Sequence, residues 1–426
     1  MRRFQSGLWT HKDFVRLWSA ESISLFGSLI TRTALAFAAI LTLHANAFQI
    51  ALLGIAEMAP AFLLSLFAGA WVDRLPRRPI MIVSDLVRAV LLMTVPIAAL
   101  FDALRIEHLY VIAGLTSIFS VFFDLAYQAY LPSLVHSEEL VEGNSKLAAS
   151  AAVSETAAFS LGGWLVEIMT APGAIVIDAV SFLASAYFIH RIESPETAPK
   201  PKAERQHIRV EITDGIRMLS REPVLRSLAV SNLMLQFGYR VNGVVYLLFV
   251  TRELGFKPGA LGLIFAVGGI SSLAGSIFAQ RFTLWLGIGP AMIAGLVLTG
   301  AGQGLIALAT GVSVLTVIML VAQQVIADSG ATVYIIDELS LRQAIAPATS
   351  LGRINGSMRV LEFGAMLIGA LLGGWLGSAV GLRFTVIFAS TSMALGAVWL
   401  ACTPVRRLRS TPVPLVEALP ETQLVM

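Results

Sequence analysis

Residues Ile80 to Phe101 read IMIVSDLVRAVLLMTVPIAALF, 22 residues whose only charges are Asp85 and Arg88. At 1.5 Å of rise per residue such a helix covers about 33 Å, enough to cross a hydrocarbon layer about 30 Å thick. Runs of this kind recur along the whole chain. About twelve spans are expected: Phe14–Leu43, Ile50–Val72, Ile80–Phe101, Leu109–Leu131, Leu147–Ile168, Ala171–Ile189, Leu225–Val250, Leu261–Phe282, Pro290–Thr310, Val312–Ile336, Gly352–Ser378 and Leu382–Ala401. Their length and continuity select helices over barrel strands, which show about ten residues of alternating polarity. The fold class is an all-α integral membrane protein.

Composition points the same way. The 426 residues are 56% hydrophobic and 13% charged, with a mean hydropathy of +0.78. A soluble chain carries roughly 25% charged residues, so the surface of two or three soluble domains could not be covered here. One cysteine, Cys402, forms no internal disulfide and no CxxC pair, and the six histidines show no HExxH spacing. No metal and no cofactor are expected. The net charge of +3 sits in short loops between apolar runs, where membrane topology explains it, so nucleic acid is not an expected partner. The first run is long and interrupted by Glu21 and Arg32, unlike a cleavable signal, and Met1 is expected in the mature protein.

With the N-terminus inside, about twenty basic residues fall in inner segments, whereas the outer loops hold only Arg105, Arg252, Lys257 and Arg383. Both termini are therefore expected in the cytoplasm. The one long polar stretch, Arg191–Pro223, holds Pro195, Pro199 and Pro201 and reads as a linker followed by an amphipathic helix, His207–Arg221, on the cytoplasmic face. The expected organisation is a six-helix bundle over 1–190, the linker over 191–223, a second six-helix bundle over 224–402 and a cytoplasmic tail over 403–426. An internal echo supports related halves: Gly162-Gly163-Trp164-Leu165 recurs 211 residues later as Gly373-Gly374-Trp375-Leu376, each copy following a loop that carries a proline, Pro132 and Pro347.

The loop between spans two and three reads Gly69-Ala-Trp-Val-Asp73-Arg74-Leu-Pro-Arg77-Arg78, which resembles the GxLaDRxGRkx motif of the major facilitator superfamily. Further stretches look like its drug/proton antiporter group, which includes macrolide and enterobactin exporters. These are Ser84-Asp85-Leu86-Val87-Arg88, Phe122-Phe123-Asp124, Tyr130-Leu131-Pro132, Asp214-Gly215-Ile216-Arg217, Pro223-Val224-Leu225-Arg226 and Gly352-Arg353-Ile354-Asn355. The resemblance implies two six-helix pseudo-repeat bundles and a cytoplasmic gate in which Asp73 faces the helix starting near Gly352. Ala158-Phe159 stands before Gly162-Gly163 where the antiporter motif has Gly-Pro, so span five is expected to kink less.

Ionised groups at bilayer depth cost several kcal/mol and usually face a cavity or a partner. Helical spacing aligns Glu21, Ser24, Ser28 and Arg32 on span one, and Ser117, Ser120, Asp124 and Gln128 on span four. It aligns Asn232, Gln236, Tyr239, Asn242 and Tyr246 on span seven, and Gln324, Asp328 and Thr332 on span ten. In the facilitator fold these four spans line the central cavity. Candidate substrate or proton residues are Glu21, Arg32, Glu155, Asn232, Gln236, Tyr239, Arg240, Asn242, Gln324 and Asp328. Candidate gate residues are Gly69, Asp73, Arg74, Arg77, Arg78, Asp85, Arg88, Asp124, Arg359 and Glu362. Asp85 with Arg88, and Arg359 with Glu362, have the spacing to pair; Glu57 and Glu155 read as lone acids, either proton sites or interhelical hydrogen-bonding groups.

The resemblance implies an alternating-access exporter of amphiphilic small molecules driven by the proton gradient, working as a monomer in the bacterial cytoplasmic membrane with lipid, protons and substrate as partners. The competing expectation keeps the fold but makes it an importer or uniporter of a small polar metabolite. No GxxxxGK[ST] loop occurs to couple transport to ATP on this chain, and the dispersed histidines do not assemble an enzyme site.

Overall fold

A computed structural model describes residues 7–72, 75–136, 139–194, 208–346 and 350–410, with side chains left aside at 65–72, 141, 152, 156, 159 and 208–212. Among the described residues the chain is helical with no strands. The helices are α1 (Lys12–Phe37), α2 (Ala47–Val72), α3 (Arg77–Leu100), α4 (Ile106–Leu134), α5 (Leu140–Met169), α6 (Ala171–His190) and α7 (Ile208–Arg221). They continue with α8 (Pro223–Leu248), α9 (Pro258–Leu286), α10 (Ile288–Leu308), α11 (Val314–Gln323), α12 (Ser329–Ile345), α13 (Leu351–Ala379) and α14 (Leu382–Ala401). A π turn, Gln324–Asp328, joins α11 and α12 into one span, Val314–Ile345.

Eleven helical segments among the described residues are long and apolar enough to cross a membrane. The remaining expected span is α5, 30 residues long, with its apolar stretch, Ser160–Met169, confined to the second half. Its first half carries Glu142 and Lys146, which pair at 3.3 Å. Large apolar side chains are exposed all along the spans, Val90 and Leu100 on α3 and Trp285 on α9 among them, as a lipid-facing surface requires.

Helix ends follow local chemistry. Asn46 and Gln49 exchange backbone-to-side-chain hydrogen bonds of 2.9 Å each at the start of α2, a capping box built from two amides. His11 Nδ1 accepts from the Phe14 amide at 3.1 Å to begin α1, and Pro223 and Pro258 occupy first-turn positions where no amide donor is missed.

The two halves repeat in register. α8 starts 211 residues after α1, and the same interval separates α9 from α2, α10 from α3, α13 from α5 and α14 from α6. Even the irregularities repeat, for π turns close α1 at Ala38–Thr42 and α8 at Phe249–Glu253. Thr170 and Gly381, which precede α6 and α14, both have positive φ. Only the fourth pair slips, by three residues, Val314 starting early relative to Ile106.

By contact the chain separates into two compact units, one of Met1–Glu204 with Val250–Ala266, the other of Arg205–Phe249 with Val267–Met426. In the first, α1 packs on α5 and α6, and α3 on α4 and α6. In the second, α8 packs on α13 and α14, and α10 on α12 and α14, the same pairing one repeat later. The cores match position by position: Leu17, Met81, Phe123, Tyr130 and Ile189 are buried together in the first, and Leu228, Met292, Tyr334, Leu341 and Leu400 in the second. The echoed glycines do equivalent work. Gly162 lies against Thr33 of α1 and Gly373 against Val241 of α8, while Trp164 and Trp375 beside them are 58% and 56% exposed. α5 runs unbroken through Gly162-Gly163.

The amphipathic segment is helical as α7 from Ile208 to Arg221; His207, its expected first residue, lies outside the described residues. It packs on its own unit: Leu219 is buried with Leu225, Ala229, Ile354 and Met358, and Asp214 lies 3.7 Å from Arg353 on α13. The prolines of the linker, Pro347 and the tail beyond residue 410 lie outside the described residues.

α10 and α12 approach through Gly295 and Gly330. A Cβ on either would stand 2.7 Å from the other's carbonyl oxygen, a backbone atom that cannot swing away. Gly330→Leu should cost about 1–3 kcal/mol and lower the thermal unfolding midpoint in detergent, whereas Gly364→Ala, which meets open space, should not.

Candidate functional site

In the first unit the polar residues converge on Arg88. Its Nη2 donates to Asp85 Oδ1 at 2.5 Å and its Nη1 to Ser120 Oγ at 3.2 Å, so α3 and α4 are tied by one guanidinium. The planar group also lies 4.0 Å from the Phe182 ring centre and 4.7 Å from that of Phe123, cation–π contacts from α6 and α4. Asp85 and Arg88 thus pair as their spacing suggested and are enclosed within the unit, their side chains 0% and 4% exposed. Glu21, Asp124 and Asp178 all lie within electrostatic reach of the same guanidinium. Asp178 is buried and accepts from Ser181 Oγ at 3.0 Å, with Gly27 of α1 pressed against both residues. Four carboxyl groups therefore share one cation in this cluster.

The stripe on α1 is real, though its members differ in surroundings. Ser24 is buried, Glu21 and Ser28 are half-buried, and Arg32 is exposed. Arg32 donates from Nε to Glu57 Oε1 at 2.9 Å. Glu57 is therefore paired, because the long Arg32 side chain reaches from α1 to α2; the lone-acid reading of this residue is corrected. Glu155 is exposed, so the burial that would favour a proton site on it is absent.

On α8, Asn232 donates to Glu362 Oε1 at 2.6 Å and Asn242 to Gln303 Oε1 at 3.0 Å, linking α8 to α13 and α10. Gln236 and Tyr239 are half-buried and Tyr246 is buried. Arg240 lies beside Gly369 of α13. Arg359 and Glu362 form no ion pair among the described residues: Arg359 points to the exposed side, and Glu362 turns to Asn232.

Asp328 ends the π turn inside the span Val314–Ile345, where one extra residue per turn re-aims the side chains. Its carboxylate stands close to Gly268 of α9, where a Cβ would come within 2.6 Å of Oδ2, and the Gln324 amide shares that spot. Tyr239 and Tyr246 lie within its electrostatic reach. Among the described residues Asp328 has no cation partner.

Of the gate candidates, Arg78 donates to the carbonyls of Ile189 and His190, 3.2 and 2.5 Å, completing the C-terminal end of α6. Arg77 opens α3 and Gly69 lies in the last turns of α2. Asp73 and Arg74, and with them the expected contact to the helix near Gly352, lie outside the described residues.

Two constellations escaped the sequence reading. Asp13 gathers the amides of Glu193 and Ser194, the Ser194 hydroxyl at 2.6 Å and Arg16 at 2.7 Å, tying the start of α1 to the residues that follow α6. Asp337 and Glu338 are buried; Thr283 donates to Asp337 at 2.8 Å, and Arg342 lies 3.4 Å from Glu338. The Glu338/Arg342 spacing was a legible helical pair, but a span drawn to end at Ile336 left it in a loop.

The model of the Major Facilitator Superfamily matches residues 17–336. The chain belongs to this superfamily. It is a membrane-embedded, multi-pass protein of a transporter family, not an enzyme. It is similar to the multidrug efflux pump Tap of Mycolicibacterium fortuitum, 26% identical over 374 residues that cover 86% of this chain and 89% of the relative. It is also similar to the uncharacterized MFS-type transporter YfiS of Bacillus subtilis, 24% identical over 390 residues, 88% and 89% of the two chains. Among solved structures, a bacterial homologue of the iron transporter ferroportin in the inward-facing state shares the fold with a TM-score of 0.73 at 18% identity, over 93% of this chain and 99% of that one. The nucleoside transporter NupG does so with a TM-score of 0.73 at 13% identity, over 92% and 98%.

Arg88 compensates a fully buried carboxylate. Arg88→Met should therefore destabilise the protein by about 3–5 kcal/mol, and pairing it with Asp85→Leu should recover most of that loss. Thermal unfolding of the purified single and double variants measures both.

Proposed function

We propose that the protein exports amphiphilic small molecules of the drug, antibiotic or siderophore-like kind by alternating access, in exchange for protons. The observation that carries this reading is Asp328, a carboxylate at membrane depth, set on a π turn and unmatched by a cation among the described residues. A carrier cycle needs a group whose proton affinity differs between the two access states, since only differential binding shifts a conformational equilibrium. A carboxylate held in place by an arginine is poorly suited to that task; Asp328 is free to take it.

The half-buried polar and aromatic residues of α8 supply a substrate-facing surface in which Gln236 and Tyr239 combine ring area with hydrogen-bonding groups. The printed name of the relative from M. fortuitum supports efflux of drugs. The asymmetry of basic residues supports a bacterial cytoplasmic membrane with both termini inside, and the protein is taken to work as a monomer.

Inverted vesicles with an imposed pH gradient and a panel of fluorescent drugs test the reading. Accumulation should collapse with an uncoupler, and Asp328→Asn should reduce it about tenfold or more while the protein remains inserted. Substrate movement that ignores the uncoupler and only equilibrates would instead identify facilitated diffusion, the behaviour of an importer or uniporter of polar metabolites.

A further inference from the structure

The corner where α9 turns into α10 differs from its counterpart in the first unit. Counting back 211 residues, the interval that relates α9 to α2 and α10 to α3, Leu284-Trp285 stands where the first unit has the charged pair Asp73-Arg74. Both side chains are 78% exposed at the end of a membrane-spanning helix. Arg281, also exposed, precedes them by three and four residues and so shares their face. Across this corner lies the segment that follows α14. Its short 3-10 turn, Pro404–Arg407, is anchored by the fully buried Val405 and by the Gly289 amide, which donates to the Leu408 carbonyl at 3.0 Å. Gly289 admits the backbone of Val405 and Arg406, which a side chain there would block. Arg409 donates from Nη1 to the Leu286 carbonyl at 2.8 Å, one residue from Trp285.

We propose that this corner binds an anionic phospholipid, its phosphodiester among Arg281, Arg406, Arg407 and Arg409 and its acyl chains along Leu284 and Trp285. The four arginines are exposed, and none forms an ion pair among the described residues. Asp337, which meets α9 at Thr283, is buried and accepts from that hydroxyl, 3.0 and 2.8 Å from its two oxygens. Arg406 and Arg409 each engage one carbonyl, of Ala401 and Leu286. A guanidinium carries five N–H donors, so both retain donors for phosphate oxygens in the forked geometry that suits them. The matched positions of the first unit hold Ala70, Pro195, Glu196 and Ala198, so the duplicated scaffold does not demand arginines here.

Depth and rigidity select a lipid over a soluble anion. In a bilayer the phosphodiester lies level with the helix ends, where tryptophan is enriched, and the acyl chains begin directly below. A free phosphate would meet the arginines but gain nothing from two large apolar side chains beside them. Arginines on a loose tail would act only as diffuse charge. Here hydrogen bonds to α9 and α10 hold the arginine turn beside the apolar pair, so headgroup and chains meet a surface already in place. The proposal is independent of the direction of transport and of the coupling ion.

The test is quenching of tryptophan fluorescence in the purified full-length protein, reconstituted in phosphatidylcholine bilayers that contain phosphatidylglycerol with brominated acyl chains. Brominated phosphatidylcholine at the same mole fraction is the comparison. The chain has seven tryptophans, so Trp285→Phe is measured alongside and the difference reports on this corner. Phosphatidylglycerol should be favoured at Trp285 by about fivefold or more, the factor that one arginine near the headgroups supplies. About 1 M potassium chloride should erase the preference. Arg281 and Arg407 make no hydrogen bond among the described residues, so changing both to Gln tests charge without loosening the turn. That double variant should lower the preference about fivefold or more, and the corresponding double change to Lys should keep most of it. Equal quenching by the two lipids in the wild type, or a preference unchanged in the double Gln variant, overturns the proposal. So does displacement of the lipid by inorganic phosphate at constant ionic strength. A preference that emerges only after residues 411–426 are deleted overturns it as well, since the chain's own tail would then be the occupant.

Discussion

A hydrocarbon layer offers no water to a peptide N–H or C=O, and every other feature of this protein follows from that lack. Each backbone group must be satisfied within its own segment, so apolar runs of about twenty residues become helices. The same lack governs the side chains. A carboxylate at depth calls for a cation, a hydroxyl, an amide or an open pocket, and the chain uses all four. Arg88 serves Asp85, Ser181 serves Asp178, Asn232 serves Glu362, and Glu21 opens into a cavity.

Lipid tails are as apolar as leucine, so burying apolar surface gives little drive for one spanning helix to join another. Close backbone approach takes over that role. Gly295 against Gly330, Gly162 against Thr33 and Gly373 against Val241 bring helices within reach of dense dispersion contact. The glycine echo first visible as a four-residue repeat is thus a packing device used once in each unit. The large apolar residues beside it, Trp164 and Trp375, face outward to the same extent.

The repeat also shows where the two halves of a duplicated scaffold differ. The cores match residue for residue in character, and helices, π turns and positive-φ corners recur at one interval. Against that constancy, differences at matched positions stand out. Glu21 faces Ala151 where Asn232 meets Glu362, and the tyrosine wall at Tyr127 corresponds to the buried Glu338 that Arg342 approaches. Core positions are apolar in both units while matched polar positions differ, so the units share an architecture while carrying different charges.

The helical spans, the two related halves, the amphipathic segment and the polar stripes on α1, α8 and the α11–α12 span were all legible in the sequence, because apolar length and helical period are local properties of one segment. The Asp85–Arg88 pair was legible for the same reason, its members lying three apart on one helix. Partnerships between helices were not. Glu57 looked alone until Arg32 reached it from α1, Glu362 looked matched to Arg359 until α8 offered Asn232, and Glu155 looked buried although α5 leaves it exposed. Asp13, Asp337 and Glu338 gained their surroundings from segments 54 to 181 residues away, or from a helix running past its expected end. Spacing tells which residues share a face; only the tertiary structure decides what that face meets, because a carboxylate's partner is set by neighbouring helices and their depth.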